Sequence, residues 1–151
     1  MITIEDLKKK QTGPSRLIGL DLGSKRIGVS ICDEKQSIAT PFKTIAKTNT
    51  NELIAQLKEI INEYNIKGII IGNPLNMDGS SGRSAQSVKD TSEKIEENIG
   101  IPICLWDERL STVGAFNLSS QLDINVSKRE QKIDENAAAF ILQGAIDFLN
   151  N

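Results

Sequence analysis

Residues 68–73, GIIIGN, constrain most tightly what this chain can fold into. Three consecutive isoleucines make a strand that is apolar on both faces, and such a strand belongs in a parallel sheet whose two faces are both covered. The flanking sequence supplies the cover. Before the strand, Leu53, Ile54, Leu57, Ile60, Ile61 and Tyr64 recur at helical spacing, with Thr50 placed to cap the helix. After it, Ala85, Val88, Ser92, Ile95 and Ile99 share a second helical face, which Ser84 opens and Gly100 closes. A further apolar strand, IPICLW at 101–106, follows and reads as parallel to the first.

Upstream, residues 16–22, 27–33 and about 36–46 read as three successive strands. The turn Gly23-Ser24-Lys25-Arg26 is short enough to make the first two an antiparallel hairpin. Pro41 places the third strand at an edge or at a break. Residues 3–10 suggest a short helix capped by Thr3. Past residue 106 the pattern predicts a short helix from Ser111 or Thr112 and a polar segment from about Leu122 to Lys132. A last helix then runs from about Asp134 to Leu149, with Ala138, Ile141, Leu142, Ala145 and Leu149 inward. The expected class is α/β: one five-stranded mixed sheet, three antiparallel strands then two parallel, flanked by helices. At 151 residues, without repeats or linkers, the whole of 1–151 reads as one domain, with 1–15 an extension or short helix.

No apolar run approaches the ~18 residues of a membrane span, and no signal peptide is visible, so a cytoplasmic location and no membrane partner are expected. Cys32 and Cys104 lie far apart in apolar segments and read as buried free thiols rather than a disulfide or metal pair. The chain has no histidine, which removes Ser-His-Asp and Cys-His nucleophiles and HExxH zinc sites. Carboxylates, lysines or a hard metal ion must carry any chemistry. With a net charge of −2, a polyanion would have to be met by a local basic patch.

Three carboxylates stand where structure does not ask for them. Asp21 interrupts the apolar run Leu17–Leu22, where an unpartnered charge costs several kcal/mol or more. Glu108 follows the fifth strand in WDERLST, and Asp134 opens the final helix. The carboxyl ends of parallel strands are where ligand sites form, so the three are expected to converge. Their mutual repulsion would raise their pKa values unless a cation held them. Mg²⁺ or Mn²⁺ suits oxygen ligands, and two such ions roughly 3.5–4 Å apart can hydrolyse a phosphodiester without histidine. Each acid also has a plainer reading: a first-turn helix acid for Asp134, a strand-end pair with Arg109 for Glu108, and an ion pair with Lys25 or Arg26 for Asp21.

The loop NPLNMDGSSGRS, 73–84, leads into a helix N-terminus, where Arg83 could clamp a phosphate. Lys25 and Arg26 on the hairpin turn, and the run Lys128, Arg129 and Lys132, are further candidates to meet a nucleic-acid backbone; solvated loops are the plainer account of both. Aromatics make up only 4%, so recognition would rest on backbone and shape rather than base stacking.

Four segments in order, LIGLDLGSKRIGVS, IIIGNPLNMDGSSGRSA, WDERLSTVGA and KIDENAAAFILQ, resemble the YqgF/RuvX family, pre-16S rRNA nucleases related to Holliday-junction resolvases. The resemblance implies an RNase H-like fold and a Mg²⁺- or Mn²⁺-dependent phosphodiesterase whose catalytic and metal-binding acids are Asp21, Glu108 and Asp134. It places Arg109 and Ser111 near the site. The implied substrate is structured nucleic acid: pre-16S rRNA at its 5′ end, within ribosomal precursor particles, or branched DNA, acted on by a monomer or a dimer. Two positions depart from the family pattern, Glu135 where a small residue is usual and Asn73 where an apolar one is. Two other classes compete. GLDLGSKRIGVS also looks like the first phosphate loop of actin-like ATPases and sugar kinases, which close two lobes where this length supplies one. A non-catalytic, nucleic-acid-binding ribosome-assembly module is the other.

Overall fold

The computed structural model describes residues 1–10, 15–75, 78–79, 82–107 and 126–150, with side chains of the last segment described from residue 134. The elements run α1 (Ile4–Lys10), β1 (Arg16–Leu22), β2 (Arg26–Cys32), β3 (Ala39–Ala46), α2 (Thr50–Tyr64), β4 (Ile66–Asn73), α3 (Arg83–Asn98), β5 (Ile103–Asp107) and α4 (Val126–Leu149). The strands form one sheet in the order β3-β2-β1-β4-β5. The β1–β2 and β2–β3 pairs are antiparallel; the β1–β4 and β4–β5 pairs are parallel.

The central strands are apolar on both sides because they feed two cores. Ile69 and Ile71 pack with α2 and α3 on one face, whereas Ile70 packs with α1 and α4 on the other. Full burial of each such side chain is worth roughly 1.5–3 kcal/mol. The α3 face predicted from spacing is buried as expected, Ser92 included, whose hydroxyl donates to the Val88 carbonyl at 2.6 Å. Pro41 meets both halves of its expectation: β3 is an edge strand, and the β2–β3 register shifts between Val29 and Ser30, where Pro41 pairs. Both cysteines are buried free thiols in the α4-side core.

Several boundaries differ from the sequence expectation. Asn49, not Thr50, caps α2, its side-chain oxygen accepting the Glu52 N–H at 2.8 Å. Gly82 caps α3 with no side-chain bond, leaving Ser84 inside the first turn, and Ile99 rather than Gly100 is the C-cap. The largest difference is α4, which begins at Val126, about two turns before Asp134. The segment expected to be polar and irregular ends in KREQK, 128–132, all good helix formers, and it contains no glycine or proline. Asp134 therefore lies inside a helix and is not a first-turn acid. The predicted helix at Ser111 or Thr112 lies outside the described residues.

Helix α4 sits close to the sheet because β1 and β2 present small residues to it. A Cβ on Gly19 would come within 2.7 Å of Leu142 Cβ and 2.9 Å of the Ala138 carbonyl oxygen. Beside it, the Ser30 hydroxyl donates to that same carbonyl at 2.8 Å. A Cβ on Gly28 would overlap the backbone carbonyl of Asp134. The obstacle at Gly28 is backbone, not a flexible side-chain end. Gly28→Ala is therefore expected to destabilise the protein by at least about 1–3 kcal/mol, the usual range for overpacking. A thermal melt lowered by several degrees would register it, and an unchanged melt would contradict the close approach.

A candidate active site at the carboxyl end of β1

Asp21 is the penultimate residue of β1 and pairs across the hairpin with Gly28. Strand alternation turns it to the α4 face with Leu17 and Gly19. Because Gly28 lacks a side chain, the turn of α4 carrying Asp134 settles against this part of the sheet. The two acids thereby become electrostatic neighbours. Burial first, and the Asp134 charge second, raise the Asp21 carboxyl from 3.8 to about 6.

Asp134 has a partner. Its Oδ2 accepts a hydrogen bond from Arg26 Nε at 2.6 Å, a charge-assisted contact between a one-third-exposed guanidinium and a largely covered carboxylate. Arg26, expected as a substrate-facing cation of the turn, thus pairs with Asp134 of α4. Lys25, its neighbour in sequence, is exposed, as is Arg83 at the start of α3. Glu108, Arg109 and Ser111 lie outside the described residues; β5 ends just before them at Asp107, in register with Asn73 of β4. Lys128, Arg129 and Lys132 fall on the α4 backbone, in the part whose side chains are not described.

Among the described residues, no cluster of three or more acids, cysteines or histidines forms a ready-made cation cage. The donor set at Asp21 and Asp134 is nevertheless all oxygen, and the repulsion within it is the kind a hard divalent ion relieves. These residues fit Mg²⁺ or Mn²⁺. A cavity of about 130 Å³, bordered by Leu22, Lys47, Asn49, Val88 and Thr91, lies on the α2–α3 side and includes neither carboxylate. Sequence reasoning missed Gly19, Gly28 and Ser30 as parts of the site. The available signal was small residues recurring on one face of two adjacent strands, which marks a close backbone approach.

Strand order, crossover pattern and an acid pair at the carboxyl edge of β1 define an α/β domain of the RNase H-like class. The fold matches that of Thermus thermophilus RuvC in complex with a Holliday junction substrate, with a TM-score of 0.57 at 10% identity, over 91% of this chain and 97% of that one. It also matches the yeast mitochondrial Holliday junction resolvase Ydc2, with a TM-score of 0.54 at 14% identity, over 97% and 84% of the two chains. The profile of the RuvX family, described as Holliday junction resolvase, matches residues 15–148, and the chain belongs to this nuclease family. A Pelagibacter ubique protein named "Putative pre-16S rRNA nuclease" is 76% identical over the full length of both chains. A relative of the same name from Chelativorans sp. is 42% identical over 99% of this chain and 93% of its own.

Proposed function

We propose that this chain is a Mg²⁺- or Mn²⁺-dependent phosphodiesterase that processes the 5′ end of pre-16S rRNA in ribosomal precursor particles in the cytoplasm. The observation that carries the reading is the Asp21 carboxylate, half-buried at the end of β1 and set against a second acid, Asp134. A sheet needing only stability would place an apolar or small residue there. The name of the 76% identical relative supports the choice of substrate.

Asp21 and Asp134 would hold the cations, with Glu108 completing the oxygen set. Bound divalent ions lower the pKa of water and offset charge on the departing oxygen. The chain's own task is to fix the carboxylates. Gly28 lets α4 approach, and strand pairing holds Asp21 in register. Lys25, Arg83, Arg109 and Ser111 meet the phosphate backbone, so recognition follows shape more than base identity. The products carry a 5′-phosphate and a 3′-hydroxyl.

Incubating the purified chain with a labelled pre-16S precursor and with a four-way DNA junction, in Mn²⁺ or in EDTA, tests this directly. The expected result is shortening of the RNA at its 5′ end in Mn²⁺ only, with the junction intact. The family description favours a second reading, a resolvase, and preferential cutting of the junction would establish that instead. Binding that survives EDTA, with cleavage of neither substrate in Mn²⁺, would leave a non-catalytic module.

A further inference from the structure

We infer that Arg26 is a positioning residue for the cation site: its guanidinium, bonded to Oδ2, fixes the Asp134 carboxylate in the orientation in which it would hold a divalent cation together with Asp21. This rests on the reading of Asp21 and Asp134 as cation ligands. The contact is short, 2.6 Å from Nε to Oδ2, and it joins residues 108 positions apart in the chain. Arg26 is also rooted firmly. It is the first residue of β2, pairs with Ala46 of β3, and its carbonyl accepts the Gly23 N–H at 3.0 Å.

The turn thus carries two adjacent cations with different placements. Lys25 is exposed, while Arg26 reaches the largely covered Asp134 carboxylate. A cation meant only for the substrate backbone gains nothing from being held on a site carboxylate. A guanidinium that takes one oxygen of a carboxylate orients the other, and such outer contacts to metal-binding carboxylates typically change metal affinity 10–100-fold. Lysine lacks the planar fork that fixes direction as well as charge.

Coulomb's law alone predicts the opposite sign. If Arg26 merely neutralised Asp134, removing it would leave more negative charge and tighten cation binding. The two accounts therefore separate cleanly in a Mn²⁺ titration of the full chain, followed by calorimetry, alongside metal-free melting curves. Arg26→Gln is expected to weaken Mn²⁺ binding about 10-fold or more. Arg26→Lys should recover part of the loss. Lys47→Gln, which removes an exposed charge beside the same turn, where its N–H bonds to the Lys25 carbonyl, should leave the affinity unchanged.

Mn²⁺ bound as tightly or more tightly by Arg26→Gln would overturn the inference. Should that variant fail to melt cooperatively, Arg26→Lys decides: a Mn²⁺ affinity equal to wild type would overturn it equally. If the wild type binds Mn²⁺ and Asp21→Asn does not, the cation reading stands whatever Arg26 does. If the wild type takes up no Mn²⁺, that reading and this inference fall together.

Discussion

Asp21→Asn should abolish cleavage while making the metal-free protein more stable. The loss of cleavage is expected to be roughly 10³-fold or more, since removing even one pre-organised electrostatic group from an active site costs 10²–10³. The gain in stability has a separate cause. At pH 7.5 the wild-type carboxylate is ionised in a place that disfavours its charge, through burial first and Asp134 second. The difference between 3.8 and about 6 corresponds to about 3 kcal/mol of unfavourable environment. Asparagine keeps the shape and removes the charge, so about 1–3 kcal/mol should return as stability. For a chain of this size that is a rise in melting temperature of several degrees. Cleavage assays and melts in EDTA on the same preparations would show both effects. A variant that lost activity by losing stability would mean Asp21 is structural, and the proposed chemistry would have to be abandoned.

This opposition between stability and function also explains which parts of the molecule were legible in its sequence. Asp21 stood out because an acid inside LIGLDL contradicts its surroundings. The isoleucines of β4 announced a two-faced core, and Pro41 announced an edge and a register shift; both follow from local rules of strand chemistry. The start of α4 was not legible. Hydrophobic periodicity detects a helix by its buried stripe, and Val126–Ile133 offers too few apolar residues to show one. Helix propensity over that stretch was the better guide. Locating Asp134 inside α4 rather than at its start also removed the helix-dipole account of that residue.

The pairing of Arg26 with Asp134 lay beyond sequence reasoning for a different reason. Arg26 and Asp21 are five residues apart and invite a local ion pair across the turn, yet the guanidinium bonds to a residue 108 positions away. What decides this is how far α4 descends onto the sheet, which depends on Gly19, Gly28 and Ser30 together. Each of those alone is an unremarkable small residue in a strand. Only the register of β1 against β2, which sets Asp21 opposite Gly28 and Gly19 opposite Ser30, turns them into one shallow face.

The same electrostatics predicts an unusual pH profile for the metal-free protein. A carboxyl whose pKa is higher in the folded than in the unfolded state keeps its proton longer when folded. Between pH 4 and pH 6 the native protein therefore binds more protons than the unfolded chain at this site, and stability must fall as pH rises. The contribution of Asp21 is fully present below about pH 4, is lost through about pH 6, and amounts to about 3 kcal/mol in all. Asp33 works in the other direction. Its carboxylate accepts the Ile38 and Ser37 N–H groups, which hold its pKa below the usual range, so its effect falls at more acid pH. Urea unfolding in EDTA at pH 4, 5, 6 and 7.5, wild type against Asp21→Asn, isolates the Asp21 part by difference. The wild type should lose stability relative to the variant across this series, with most of the loss complete by pH 7.5. Mn²⁺ at pH 7.5 should then raise wild-type stability, because a ligand that binds only the folded form stabilises it by mass action. The variant, with one ligand fewer, should gain much less. A difference between the two proteins that stayed flat from pH 4 to pH 7.5 would show that Asp21 titrates normally. The strained acid pair at the end of β1 would then be absent, and with it the physical reason for a cation there.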